Sequence, residues 1–100
     1  MSFWNTDNPL KPTGIKDPDA ILDYPIDFSG WLLDINDTYL SHTVYTSAGL
    51  TCDSSVEAAG VISPFISGGV LGTTEWFTIR ISTVGGRTDD RTFYLKIKER

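Results

Sequence analysis

The chain has 100 residues, room for one hydrophobic core but not for a second independent domain, and 40% of it is hydrophobic with 12% aromatic, material enough to fold. Thirteen acidic against eight basic side chains leave a net charge of −5, which opposes the phosphate contacts that dominate nucleic-acid binding, so nucleic acid is not an expected partner. Cys52 is the single cysteine and His42 the single histidine, which excludes an intrachain disulfide and a Cys/His zinc site.

The opening residues lack the positive and apolar regions of a signal peptide, and no apolar run approaches bilayer length. The expectation is synthesis in the cytoplasm with no membrane partner. Residues 1–20 hold Pro9, Pro12 and Pro18 together with Gly14, a composition that suppresses helix and central strand. This stretch reads as an extended N-terminal arm, with the sandwich proper over residues 21–100. Phe3, Trp4, Leu10 and Ile15 are apolar for a free tail, so the arm is expected to dock, either on a neighbouring protein or back on its own domain.

From Leu22 the pattern has period two: Leu22, Tyr24, Ile26 and Phe28 alternate with Asp23, Pro25, Asp27 and Ser29. Pro25 cannot donate to a ladder, which places this strand at a sheet edge or beside a bulge. Trp31 and Leu32 continue the apolar set. A turn at 34–37 leads to a Thr-, Tyr- and Val-rich strand over 38–47, where Leu40, His42 and Val44 share a face. Residues 50–57 and 61–66 read as two further strands, and 67–74, with three glycines, as a loop. In the clearest strand, 75–83, Phe77, Ile79 and Ile81 point inward, and Trp76, Thr78, Arg80 and Ser82 outward. A Gly-Gly-Arg turn over 85–90 precedes the last strand, 91–98, with Phe93, Leu95 and Ile97 inward against Tyr94, Lys96 and Lys98. Helical periodicity is essentially absent. About six to seven strands with turn signals near every ten residues predict an antiparallel, immunoglobulin-like β-sandwich without the disulfide.

Little in this pattern points to chemistry. His42 stands in a strand with no serine in a nucleophile-elbow context, so a plain surface or half-buried histidine is expected. Cys52 beside Asp53 reads as a small hydrophobe with a dulled thiol. The carboxylates Asp17, Asp19, Asp23, Asp27, Asp34 and Asp37 lack calcium-loop spacing, and no cofactor or metal is expected. The glycines before Arg87 lack the lysine and helix of a phosphate loop, leaving a hairpin turn with an Arg and Asp network. Aromatic residues beside arginine on an outward face are what interfaces are made of, so Trp76 and Arg80 are candidates for protein contact.

The run KDPDAILDYPIDFSGWL, the Ser67-Gly68-Gly69 loop before a strand, and the ending ISTVGGRTDDRTFYLKIKER together resemble small virion proteins of tailed bacteriophages, the fiber-tail adaptors. A lysine-aspartate-proline run followed by a Leu-Asp-Tyr strand and a nearby tryptophan, then a Gly-Arg turn with acidic residues before a final aromatic strand, carries the resemblance across residues 16–98. It implies an immunoglobulin-like structural protein of the virion at the neck, tail or fiber attachment, present in multiple copies and contacting portal, neck, tail or fiber subunits, with no catalytic residue to carry over. On that reading Phe3, Trp4, Leu10, Trp76, Arg80, Arg87 and Tyr94 are the expected interface residues. Capsid decoration is one alternative role. A carbohydrate-binding host-recognition module, stacking exposed Trp and Tyr on a glycan, is another, and a small hydrolase would require His42 beside a nucleophile.

Overall fold

A computed structural model describes residues 4–7 and 11–99. The chain runs β1 (Thr13–Lys16), β2 (Leu22–Asp23), β3 (Ile26–Asp27), α1 (Ser29–Asp34), β4 (Tyr39–Thr46), β5 (Leu50–Ala58), β6 (Val61–Gly68), β7 (Thr74–Thr83) and β8 (Thr88–Ile97). The first sheet has the order β1-β8-β7-β4, and the second is built on β6, with β2 and β3 along one flank and β5 along the other. All pairings are antiparallel except that of β1 with β8. The expected all-β sandwich is what forms.

The core follows the period-two pattern. Phe77, Ile79, Ile81, Phe93, Leu95 and Ile97 cover the inner face of the first sheet, and Ile26, Ile62, Ile66 and Leu50 that of the second, all buried. Pro25 does interrupt an edge: β2 and β3 are two short halves of one edge line, Leu22 opposite Ile66 and Ile26 opposite Ile62, and between them Tyr24 donates its N–H to the Pro64 carbonyl at 3.0 Å.

Three local features differ from the expectation. Trp31 and Leu32 belong to the short helix α1 instead of a strand; Leu32 is its buried residue, and the Asp27 carboxylate accepts the Ser29 N–H at 2.8 Å just before it. Six residues are too few to show a 3.6-residue period. A bulge between Tyr39 and Ser41 turns Leu40 outward, 60% exposed, so that only His42 and Val44 keep the shared face. The β7–β8 turn is tighter than the glycines suggested: Thr83 donates its N–H to the Arg87 carbonyl at 2.9 Å and accepts the Arg87 N–H on its hydroxyl at 2.9 Å, and Thr88, Asp89 and Asp90 lie in β8 opposite Ser82, Ile81 and Arg80. The Arg80–Asp90 ion pair across the strands supports aspartate at an otherwise disfavoured position.

Residues 13–16, inside the stretch expected as an arm, run as β1 along the edge of the first sheet, Thr13 beside Tyr94 and Lys16 beside Ile97. Ahead of it Asn5 and Thr13 form a two-bond bridge at 2.7 and 3.0 Å. Trp4 packs on the core, its ring centroid 4.9 Å from that of Phe93, 5.7 Å from Tyr24 and 6.1 Å from Phe77. Phe3 and Leu10 lie outside the described residues.

Candidate interaction surface

Alternation along the first sheet fixes what its outer face presents. On β7, Trp76, Thr78 and Arg80 point away from the core because Phe77, Ile79 and Ile81 point into it. The register then sets Tyr94 opposite Trp76, Thr92 opposite Thr78 and Asp90 opposite Arg80 on β8, and Tyr45 opposite Thr78 on β4. Ile15, beside Lys96, extends the face onto β1. Ile15, Tyr45 and Trp76 are 41%, 43% and 37% exposed, an aromatic and aliphatic surface on a continuous four-stranded support.

Polar and ring contacts brace several side chains of this face. Arg80 grips Asp90 through two bonds, Nε to Oδ1 at 2.8 Å and Nη2 to Oδ2 at 2.9 Å, and its guanidinium lies 5.3 Å over the Tyr45 ring. The pair holds the Asp90 carboxyl below its usual range and raises the Arg80 value further. Thr78 and Thr92 share a hydroxyl bond of 2.7 Å, and the Lys11 ammonium stands 4.9 Å from the Tyr94 ring centroid.

Trp76 has its own clamp beyond the end of β4. Ser47 donates its N–H to the Trp76 carbonyl at 2.9 Å and accepts the Trp76 N–H on Oγ at 3.1 Å. The Ser47 hydroxyl in turn donates to Glu75 Oε1 at 2.7 Å, and Thr73 donates to Glu75 Oε2 at 2.9 Å. These hydrogen bonds outweigh burial and hold the Glu75 carboxyl below its ordinary value. A Cβ at Gly49 would overlap that carboxylate, which accounts for glycine there.

Of the expected contact residues, Trp76, Arg80 and Tyr94 are brought together on this face. Arg87 is elsewhere, in the β7–β8 turn, where it donates to Asp37 Oδ2 at 2.8 Å. Tyr45, Lys11 and Ile15 were missed as members of the face. Alternation from His42 and Val44 could have found Tyr45, whereas the parallel pairing of β1 with β8 leaves no local signal in the sequence.

The remaining candidates are structural in their surroundings. His42 faces inward and bridges the two sheets: Nδ1 is 2.7 Å from the Tyr39 hydroxyl on β4 and Nε2 is 2.7 Å from the Ser55 hydroxyl on β5. Burial pushes its pKa down against the opposing pull of Glu57. A serine does therefore lie beside His42, but the far ring nitrogen meets a tyrosine hydroxyl instead of the carboxylate that orients and charges a catalytic histidine. Cys52 is half-buried, its thiol bonded to the Ser54 carbonyl at 3.3 Å, and burial, with Asp53, pushes the thiol pKa up. Among the described residues, no group of three or more His, Cys, Asp or Glu side chains is placed to hold a metal ion, and no helix is long and apolar enough to cross a membrane.

The fold and this surface define a small all-β sandwich whose most distinctive chemistry is a broad, braced aromatic sheet face. The family model described as podophage GP4 fiber-tail adaptor protein gp77 matches residues 16–96, and the chain belongs to that family. The resemblance drawn from the two sequence motifs thus holds across most of the chain. Among curated proteins none matches.

Proposed function

We propose that the chain is a non-enzymatic adaptor of a tailed-phage virion, placed at the neck, tail or fiber attachment, and that the outer face of its first sheet is the surface through which it holds a neighbouring virion protein. The observation that carries this reading is the row of outward side chains in which Trp76 stands opposite Tyr94 and, beyond the Thr78–Thr92 pair, the Arg80–Asp90 ion pair braces the Tyr45 ring. Preorganised aromatic and arginine groups lose little freedom on association, the usual basis of interface hot spots. Family membership supplies the structural role and the class of neighbour.

The test is quantitative mass spectrometry of purified particles, first from wild-type phage and then from phage carrying Trp76→Ala with Tyr94→Ala. A small symmetric number of copies, lost from particles bearing the folded variant, supports the adaptor reading. Hundreds of copies would mean capsid decoration. Absence from wild-type particles overturns the reading, and incorporation of the variant at wild-type level removes this face from it.

A further inference from the structure

The second sheet also has an open outer face, and its chemistry is the converse of the first. Ile62, Pro64 and Ile66 of β6 point inward, so Val61, Ser63, Phe65 and Ser67 point out. The register places Asp23 opposite Phe65 and Asp27 opposite Val61 on one flank, and Val56 opposite Ser63 on the other. Asp53, in the bulge of β5, accepts the Ser67 hydroxyl at 3.1 Å and stands at the same surface. The result is a face of Val56, Val61 and Phe65 among serines, Val56 57% exposed, bordered by Asp23, Asp27 and Asp53. Two basic groups reach its margins: Arg91 donates to the Asp27 carbonyl at 3.4 Å, and the buried Lys16 ammonium donates to the Gly68 carbonyl at 2.7 Å at the end of β6.

The first face carries the opposite balance. Arg80 and Asp90 neutralise each other, which leaves, among the described residues, Lys11 over Tyr94 and the exposed Lys96 as its uncompensated charges, beside the part-exposed rings of Trp76 and Tyr45. One face thus carries net positive charge and the other net negative charge, and they lie on opposite sides of one sandwich. We infer that the partner of the first face is the second face of another copy of this chain, so that copies stack head to tail. The contact is heterologous, since each copy offers two different patches, and such contacts generate rings where the rotation closes. Extents of 42 × 28 × 20 Å make the broad sides large enough for the roughly 800 Å² per partner that a stable interface needs. This step rests on the reading of the first face as a protein interface, and adds the identity of its occupant.

The experiment uses the full-length protein in sedimentation velocity at low and high salt. Wild-type protein is expected to form oligomers that weaken as salt rises, because complementary exposed charges are screened. Trp76→Ser with Lys96→Glu blocks the first face, and Asp53→Lys with Val56→Lys blocks the second; each variant alone should associate about tenfold more weakly or not at all. Mixed together they should form a 1:1 dimer, because each keeps the face that the other lacks. All four positions are outside the core, and thermal melts verify folding; Lys96→Glu and Asp53→Asn alone replace any variant that fails to fold. A monomeric wild type, a one-face variant that still assembles by itself, or a mixture that stays monomeric overturns the inference. A monomeric wild type whose first-face variant is nonetheless excluded from particles would overturn self-stacking and leave the adaptor face standing.

Discussion

The Nζ of Lys16, in a side chain fully shielded from solvent, donates to the Gly68 carbonyl at 2.7 Å and to the Asp17 carbonyl at 2.9 Å. Lys16 ends β1 at the edge of the first sheet and Gly68 ends β6 in the second, so one ammonium ties the two layers together at the end of the sandwich where the family match begins. Burial pushes the lysine pKa down, partly countered by Asp17 and Asp19, and the carbonyl oxygens make the remaining charge tolerable.

Lys16→Met keeps the aliphatic stem and removes only the ammonium. Two carbonyls then lose a donor, and unfolding free energy is expected to fall by about 1–3 kcal/mol in denaturant titration, with an unchanged m-value. An unaltered midpoint would mean that relief from burying the charge offsets the lost bonds.

A second tie is made by Asp37, whose Oδ1 accepts the N–H groups of Thr38 at 2.8 Å and Gly85 at 3.0 Å, while Oδ2 accepts from Thr83 at 2.6 Å and Arg87 at 2.8 Å. The Thr83 hydroxyl leads the interactions that hold this carboxyl far below the usual range. A folded state that holds the proton more weakly than the unfolded chain gains stability above a pH of about 4 and loses it as pH falls through the folded value. Asp37→Asn should therefore melt several degrees lower than wild type at neutral pH, with the gap narrowing as pH drops below about 4. A constant gap across that range would show that the charge of Asp37 contributes nothing.

How far the sequence alone reached depends on which period governed each segment. Phe77, Ile79, Ile81, Phe93, Leu95 and Ile97 were all placed in the core by alternation, and the same rule put Trp76, Arg80 and Tyr94 on one outer face. Pro25 announced the broken edge because its missing N–H acts locally. Lys16, Asp37 and Glu75 were not legible as buried polar anchors, since each is satisfied by groups such as Gly68, Thr83 and Ser47 that are far along the chain. Ile15 and Lys11 joined the candidate face only through the parallel β1–β8 pairing, which a one-dimensional pattern does not encode.

His42 supplies a pH dependence in a window that no other side chain occupies in the ordinary range, as it is the chain's single histidine. It is met by Tyr39 and Ser55 directly and by the charge of Glu57. Burial disfavours the imidazolium, so the unfolded chain takes up a proton more readily, and stability should decline as pH falls below about 6.5. His42→Gln is expected to flatten that part of the profile in melts between neutral and mildly acidic pH. A wild-type profile already flat there would count against the effect of burial.

Trp4 decides whether the start of the chain belongs to the folding unit. Its ring leans on Phe93, Tyr24 and Phe77, and the adjoining Asn5 closes a bridge to Thr13, so its removal should uncover the aromatic cluster at the edge of the core. For a half-buried ring, Trp4→Ala is expected to cost about 1–3 kcal/mol, less than a fully buried tryptophan because the site opens to solvent and leaves no closed cavity. Equilibrium unfolding of the full-length variant measures it. If stability is unchanged, the ring contributes nothing to the isolated fold and its apolar surface is free to serve a neighbour. If stability falls as expected, deleting the first residues would confound any particle-incorporation assay with unfolding, and the arm's contacts have to be tested by point substitutions at Phe3 and Leu10 instead.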